Sequence, residues 1–285
     1  MQSMLVSGTG ASNSTSQART KSLTVENIPI QIADQGTGVP TLLLHGIFDS
    51  ADAWRGVTER LQANERCLAP DLPGFGRSGE PTDFDCTLPH LAQFIDHLID
   101  ALGIDEPINL VGYDIGATYG LAWAVTHPAK VRHLAILNAN FFSDYKWHPF
   151  ARLWRIPVVG ELVMAGITES NFARAMVSSA PQIPLEKARE SAHLVTPAAK
   201  RMALRHYRAL DSAVFRGWED RLRDLTSHVP TIVCWGDQDP VISPTFAERF
   251  GAQEVHHFTA NSHWLPLEAP DALAERLDAF FREDA

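Results

Sequence analysis

The sequence reads as an α/β protein, an open, mostly parallel sheet with helices on both faces. Two observations carry this. Short apolar runs break off in glycine-containing turns at 40–46, 66–76, 108–112 and 231–236, and runs of that length bounded by turn signals read as buried strands. Helical periodicity separates them: Leu88, Leu91, Phe94, Ile95, Leu98, Ile99 and Leu102 fall on one stripe, the spacing of a helix lying against a sheet.

Residues 1–20 include Ser7-Gly8-Thr9-Gly10-Ala11-Ser12-Asn13-Ser14-Thr15-Ser16, turn and linker composition with little to bury, and are expected to be a disordered tail. Only Met4-Leu5-Val6 is apolar there, and no basic stretch precedes it, so no secretory signal is expected. The first run, Pro40-Thr41-Leu42-Leu43-Leu44, leads into His45-Gly46-Ile47-Phe48, and the second passes into Asp71-Leu72-Pro73-Gly74-Phe75-Gly76. The third, Ile108-Asn109-Leu110-Val111, turns through Gly112-Tyr113-Asp114-Ile115-Gly116 into helix formers at 117–124. A strand that ends in a reactive side chain and a helix that begins at once need small residues two before and two after it. Gly112 and Gly116 occupy those places. The fourth run reaches Trp235-Gly236-Asp237-Gln238-Asp239-Pro240, followed later by Asn261-Ser262-His263-Trp264. Pro270 opens a last helix with Leu273, Leu277 and Phe280 on one face.

Asp114 narrows the chemistry. An aspartate attacking an ester or amide would make a mixed anhydride, uphill and poorly suited to turnover. Its natural target is saturated carbon bearing a strained epoxide oxygen, a halide or a comparable leaving group, and the resulting alkyl ester of Asp114 is then cleaved by water.

Together these segments resemble the α/β-hydrolase fold from about Lys21 onward, with the motifs in that family's order of nucleophile, acid and histidine. Aspartate in the elbow points to the branch containing epoxide hydrolases and haloalkane dehalogenases. The resemblance implies a core of residues 21–141 and 216–285 with a helical cap inserted at 142–215. By position it makes Asp114 the nucleophile, Asp239 the orienting acid and His263 the base, with Asp237 as the nearby competitor to Asp239. His263 is expected to stay neutral during alkylation and to need a pKa near working pH. The backbone N–H groups of Ile47 and Ile115 are the expected oxyanion donors, and His45 reads as structural.

Epoxide opening also needs an acid for the departing oxygen, and a phenol with a pKa near 10 suits it. Arg205-His206-Tyr207-Arg208 is similar to the segment that carries a ring-opening tyrosine in epoxide hydrolases, which points to Tyr207. His148 and Tyr145 are the candidates for a second donor, and Trp147, Trp154 and Trp218 read as packing residues. Dehalogenases of the branch place side-chain N–H donors after the nucleophile and after His-Gly, where this chain has Ile115 and Ile47. Epoxide hydrolysis to a vicinal diol is the leading reading, haloalkane dehalogenation the alternative, and a non-catalytic small-molecule binder on the same fold the reading of another class.

A chain of 285 residues, 45% hydrophobic and 20% charged, has ordinary composition for a globular enzyme, and burying roughly three quarters of its unfolded surface needs no second core domain. A formal charge of −10 and a pI near 5.6 disfavour nucleic acid and anionic membranes, so the expected partner is a small, largely uncharged organic molecule. No apolar run approaches a membrane span of ~18 residues. Cys67, Cys86 and Cys234 have no metal spacing and read as reduced core residues of a cytoplasmic protein. His256 and His257 alternate across a strand, which disfavours a shared metal. No phosphate loop, dinucleotide fingerprint or other cofactor motif is present.

Overall fold

The computed structural model describes residues 19–283. Eight strands and eleven α-helices are found among them. In chain order they are β1 (Arg19–Val25), β2 (Ile28–Gln35), β3 (Val39–Leu44), α1 (Arg55–Leu61), β4 (Glu65–Pro70), α2 (Leu88–Ala101), β5 (Ile108–Tyr113), α3 (Ile115–Ala124) and β6 (Val131–Leu137). Then come α4 (Pro149–Trp154), α5 (Val159–Ala165), α6 (Glu169–Ser179), α7 (Leu185–Ala192), α8 (Pro197–Ala209) and α9 (Trp218–Thr226). The chain closes with β7 (Thr231–Gly236), β8 (Glu254–Phe258), α10 (Leu265–Glu268) and α11 (Pro270–Arg282).

The strands form one sheet in the order β1-β2-β4-β3-β5-β6-β7-β8. Pairing is parallel from β4 through β3 to β8 and antiparallel at β1·β2 and β2·β4. The expected tail of residues 1–20 needs a correction at its end: β1 takes in Arg19 and Thr20, which pair with Asp34 and Ala33. The rest of that tail, residues 1–18, lies outside the described residues.

Strands buried on both faces need apolar side chains at nearly every position, and β5 is buried throughout. One face of the sheet is covered by α2 and α3, whose Leu91, Phe94, Ile95, Tyr119 and Trp123 are buried with Leu42, Leu110 and Ile136. The other is covered by α1 and α11, where Val57, Leu61, Leu273 and Leu277 pack with Leu43, Val111 and Ile232. The stripe expected from Leu88 onward is α2. The predicted terminal helix is α11, with Pro270 in its first turn.

Helices α4 to α8 lie between β6 and β7, inside the stretch 142–215, while α9 packs on α3, and a 3-10 helix at Pro244–Phe250 packs against both α9 and β7. Two aromatic-rich joints hold this insertion down: the Tyr119 hydroxyl meets His206 Nε2 at 2.8 Å, and Tyr145 sits edge-on to Phe246. His206 Nδ1 donates to Met202 O at 2.9 Å, so its Nε2 accepts from Tyr119 and both groups are satisfied in the neutral state.

Close backbone approach explains the elbow glycines. A Cβ on Gly112 would lie 2.5 Å from Ala117 Cα, and one on Gly116 would lie 2.3 Å from Leu44 O and 2.5 Å from His45 O. The obstacles at Gly116 are backbone atoms of the adjoining strand, which cannot swing aside. Gly116→Ala should therefore lose stability by about 1–3 kcal/mol, as overpacking of a tight core does, read as a lowered midpoint in urea with an unchanged slope. A midpoint equal to the parent's would show that β3 and α3 separate freely.

Candidate functional site

Carboxyl ends of neighbouring parallel strands are where crevices form in open α/β sheets. Four such ends meet here. His45 follows β3, Asp114 follows β5, Asn138 follows β6, and Asp237 and Asp239 follow β7. The loop after β8 brings His263 to the same edge.

Asp114 has φ 51° and ψ −122°, a left-handed backbone that costs a non-glycine residue of order 1–3 kcal/mol and persists only where the surroundings fix it. The turn is fixed on both sides: Asp114 N–H donates to Leu137 O at 3.2 Å and its carbonyl accepts from Ala117 N–H at 3.1 Å. The strained turn lifts the carboxylate out of the sheet. Its Oδ2 accepts from Ile47 N–H at 2.9 Å, and Ile115 N–H donates to the same carboxylate.

His263 Nδ1 bonds Asp239 Oδ2 at 2.8 Å, while His263 Nε2 stands 3.9 Å from Asp114 Oδ1, too far for a hydrogen bond. Asp239 is tied down by three more donors. Val241 N–H and Ile242 N–H reach Oδ1 at 2.6 and 3.0 Å, and Asn138 Nδ2 reaches Oδ2 at 2.8 Å. Asp237 instead meets His257 Nδ1 at 2.5 Å, away from His263, and His257 Nε2 continues to Glu248. The structure thus brings Asp114, His263, Asp239, Ile47 and Ile115 together.

Electrostatics follow from this geometry. Burial pushes the His263 imidazole down, but the Asp239 carboxylate and its hydrogen bond, with Asp114 adding, lift it to about 9. Burial pushes the Asp114 carboxyl up, opposed by His263 and by the Ile47 and Ile115 N–H groups. The expectation that His263 stays neutral during alkylation and titrates near working pH gives way to an imidazole protonated at rest, beside an Asp114 carboxyl whose own pKa burial raises. Esterifying Asp114 would remove its charge, and with it one of the influences that hold the imidazole up.

Tyr207, on α8, borders the cavities on either side of Asp114, and its hydroxyl makes no hydrogen bond among the described residues. Burial, then the Asp114 and Tyr145 charges, raise its pKa well above 10. Tyr145 is placed differently: its hydroxyl donates to Val241 O at 3.0 Å. His148 caps α4, its Nδ1 accepting from Ala151 N–H at 3.3 Å. Burial, then the neighbouring His263, push it down to about 4, so it is neutral with Nε2–H as its remaining donor.

Two cavities meet at Asp114. The outer one, about 500 Å³, is bordered mainly by apolar side chains including Phe48, Trp154, Ile167, Phe172 and Met176. The inner one, about 40 Å³, lies against Ile115, Thr118, Leu210 and Phe215. Ile47, Asp114, Tyr207 and Val241 border both.

Sequence reasoning missed Asn138, which besides holding Asp239 accepts from Gly236 N–H at 3.1 Å and so pins β7 to the end of β6. It also missed Asp71, whose carboxylate accepts from Ala51 N–H and Arg77 N–H, both at 2.7 Å, fixing the loops after β3 and β4. His45 is structural: Nδ1 donates to Gly46 O at 2.8 Å and Nε2 accepts from Leu72 N–H at 2.9 Å. Among the described residues, no group of three or more His, Cys, Asp or Glu could hold a metal, and no helix is long and apolar enough to cross a membrane. Cys67, Cys86 and Cys234 are buried free thiols.

Residues 39–162 match a family model described as the alpha/beta hydrolase fold. Cis-3-alkyl-4-alkyloxetan-2-one decarboxylase of Shewanella oneidensis is 28% identical over 272 residues, covering 88% of this chain and 84% of the relative. Epoxide hydrolase 3 of Xenopus tropicalis is 27% identical over 268 residues, covering 85% and 71%. Haloalkane dehalogenase 2 of Mycobacterium tuberculosis is 28% identical over 271 residues, covering 86% and 88%. The family match, the sheet order and these relatives agree: the chain has the α/β-hydrolase fold, and the relatives support an enzyme of the α/β-hydrolase class.

Proposed function

We propose that the protein is a cofactor-independent epoxide hydrolase working through an alkyl ester of Asp114. The observation that carries this is the unpaired Tyr207 hydroxyl bordering the same cavities as a carboxylate held by two backbone N–H groups. With Oδ2 engaged by Ile47 N–H, Oδ1 attacks an oxirane carbon and the carbon–oxygen bond breaks. The departing oxygen takes the Tyr207 proton, and the phenolate is reprotonated from solvent. Water then adds to the carbonyl carbon of the ester while His263 Nε2 removes its proton. The charge that develops on the former Oδ2 meets Ile47 and Ile115 N–H, donors of a kind whose loss typically raises a barrier by about 2.7–4 kcal/mol. Collapse expels the diol, its leaving oxygen taking the proton from His263, and the Asp114 carboxyl, now holding one water oxygen, sheds its remaining proton to solvent. The helices at 142–215 act as the cap, and the substrate is a small, largely uncharged molecule that partitions into the outer cavity.

Geometry supports Tyr207 over Tyr145, since the latter's hydroxyl is already committed to Val241, and leaves His148 Nε2–H as the second donor. Asp239 is favoured over Asp237 by its hydrogen bond to His263. Dehalogenation is the second reading. It draws support from the Mycobacterium relative, and Trp147 and Trp154 border the inner and outer cavities respectively.

Single-turnover mixing with a panel of epoxides and haloalkanes separates the two. A hydroxyalkyl mass on the Asp114 peptide marks epoxide opening, and a plain alkyl mass with halide release marks dehalogenation. A cis-3,4-dialkyl oxetan-2-one belongs in the panel because of the Shewanella relative. Tyr207→Phe should slow alkylation by epoxides by roughly 10²-fold or more, the lower end of a general acid's contribution, and slow ester hydrolysis far less. An unchanged alkylation rate would remove Tyr207 from the mechanism.

A further inference from the structure

Helices α4 and α5 are apolar on both sides. Ala151 and Trp154 of α4, and Gly160 and Met164 of α5, are buried, with α8 a neighbour of both helices. The opposite stripes, Phe150 and Leu153 on α4 and Val159 and Leu162 on α5, are exposed. A helix that is apolar all round is ordinarily buried. With Ile156 and Val158 in the turn between them, this hairpin holds six of the eight large apolar side chains exposed among the described residues, and apolar surface gathered in this way marks an interaction site. The turn adds a second observation. Val158 is 70% exposed and has φ 69° and ψ −49°, a backbone that a β-branched residue rarely adopts and that persists only where the surroundings impose it. Here Gly160 N–H donates to Ile156 O at 2.8 Å, and a Cβ on Gly160 would lie 2.4 Å from Trp154 O, so the turn is held tight. Strain of this kind gathers at functional positions.

Position and charge identify what covers the hairpin. Phe150 is 61% exposed and also borders the outer cavity, as do Trp154 and Val163, so the patch runs into the mouth of the space that leads to Asp114. A protein seated there would close that mouth, whereas a lipid phase would open it onto dissolved substrate. Lys146 and Arg152 are exposed and share a surface cleft with Ile156, and among the described residues neither is in an ion pair. The other charges beside the patch are matched: Arg155 pairs with Asp211, and Arg208 with Glu161. The chain's charge of −10 disfavours anionic surfaces as a whole. Charges beyond about 8 Å are screened at physiological ionic strength, however, and the surface brought close is locally basic. We propose that α4 and α5 dock the protein on a phosphate-headed lipid surface. Phe150, Leu153, Val158 and Leu162 enter the boundary between headgroups and acyl chains, Lys146 and Arg152 meet the phosphates, and an apolar substrate passes from the lipid into the outer cavity. The docking is independent of the alkyl-ester reading, and only the delivery of substrate rests on it.

Flotation of the full chain with vesicles of phosphatidylcholine and phosphatidylglycerol in equal parts, at physiological salt, reads the docking. The parent should float with the vesicles. Leu162→Gln should lower the partition coefficient by roughly tenfold, the lower end of what burying one such side chain is worth. Lys146→Gln combined with Arg152→Gln should lower it by roughly fivefold for each charge removed. Val158→Gly should weaken flotation as Leu162→Gln does while raising the midpoint in urea, since glycine adopts the positive φ without strain. Docking and stability then move in opposite directions, which a residue serving only the fold would not show. None of these four side chains borders the cavities at Asp114, so turnover of a water-soluble epoxide should match the parent's while that of one dissolved in the vesicles falls. A parent that stays with the soluble fraction, or variants that float as well as the parent, overturns the proposal. So does a lipid-free dimer that Leu162→Gln separates, because the hairpin is then an interface between copies. Flotation without any adduct on Asp114 supports the docking surface and removes the alkyl-ester reading alone.

Discussion

Replacing His263 with Gln should turn the protein into a single-turnover reagent. The substitution removes the ring nitrogen that faces Asp114 but leaves the carboxylate, its Ile47 N–H partner and Tyr207 in place, so alkylation proceeds and hydrolysis loses its base. Positioned general bases contribute about 10²- to 10⁴-fold, and the ester should accumulate to one per chain as its hydrolysis slows by that factor. Intact-mass measurement after mixing with excess epoxide reads the adduct, and peptide mapping assigns it to the segment holding Asp114. Continued diol release with no adduct would end the account. The pH dependence carries the same test with a sign. In the parent, His263 rests protonated with a pKa of about 9, and a base works only when deprotonated. Ester hydrolysis should therefore rise with pH and level off at an apparent pKa below 9, because the esterified Asp114 no longer supports the imidazolium. In the Gln variant that rise should vanish.

Much of this site could be read from the chain because it depends on local backbone requirements. Gly112 and Gly116 bracket Asp114 at the spacing that a sharp strand-to-helix turn demands, and the structure shows the backbone contacts that exclude a Cβ at both. The apolar stripe of α2 and the proline at the start of α11 are likewise short-range signals. The β1–β2 hairpin was hidden because its turn uses Glu26 and Asn27, both at positive φ, where glycine would have announced it. Asn138 was hidden for another reason. An asparagine closing an apolar run looks like a turn residue, and nothing near it in sequence says that its amide will reach Asp239, about a hundred positions on. The inner cavity is the extreme case, since its walls come from the ends of β3, β5 and β6, from α8 and from the loop after β7. Asn140 and Trp147 carry no pattern of their own. Only the packing of the insertion on the sheet brings them to one cavity.

Asp239→Asn should cost nearly as much as losing His263, and the hydrogen-bond geometry explains why a near-isosteric change does so. Both carboxylate oxygens accept only: Oδ1 from Val241 and Ile242 N–H, Oδ2 from Asn138 Nδ2 and His263 Nδ1. An amide offers one oxygen and one NH₂ to these four donors. The two backbone N–H groups are immobile, so the amide oxygen should stay with them and the NH₂ should face Asn138 and His263. Asn138 is held through Oδ1 by Gly236 N–H, so its own NH₂ then opposes the new one. His263 can satisfy the new donor only by turning Nδ1 into an acceptor, which moves its proton to Nε2, the nitrogen that must be empty to accept from water. Loss of the orienting carboxylate in a comparable arrangement costs about 10⁴-fold through this wrong tautomer. Hydrolysis of the Asp114 ester should fall by that order, while alkylation, which does not use Nε2 as a base, falls much less. The same change removes the largest influence raising the His263 pKa, so imidazole titration followed by NMR should move down from about 9. A hydrolysis rate within tenfold of the parent, or an unmoved imidazole titration, would detach Asp239 from His263 and return Asp237 to consideration.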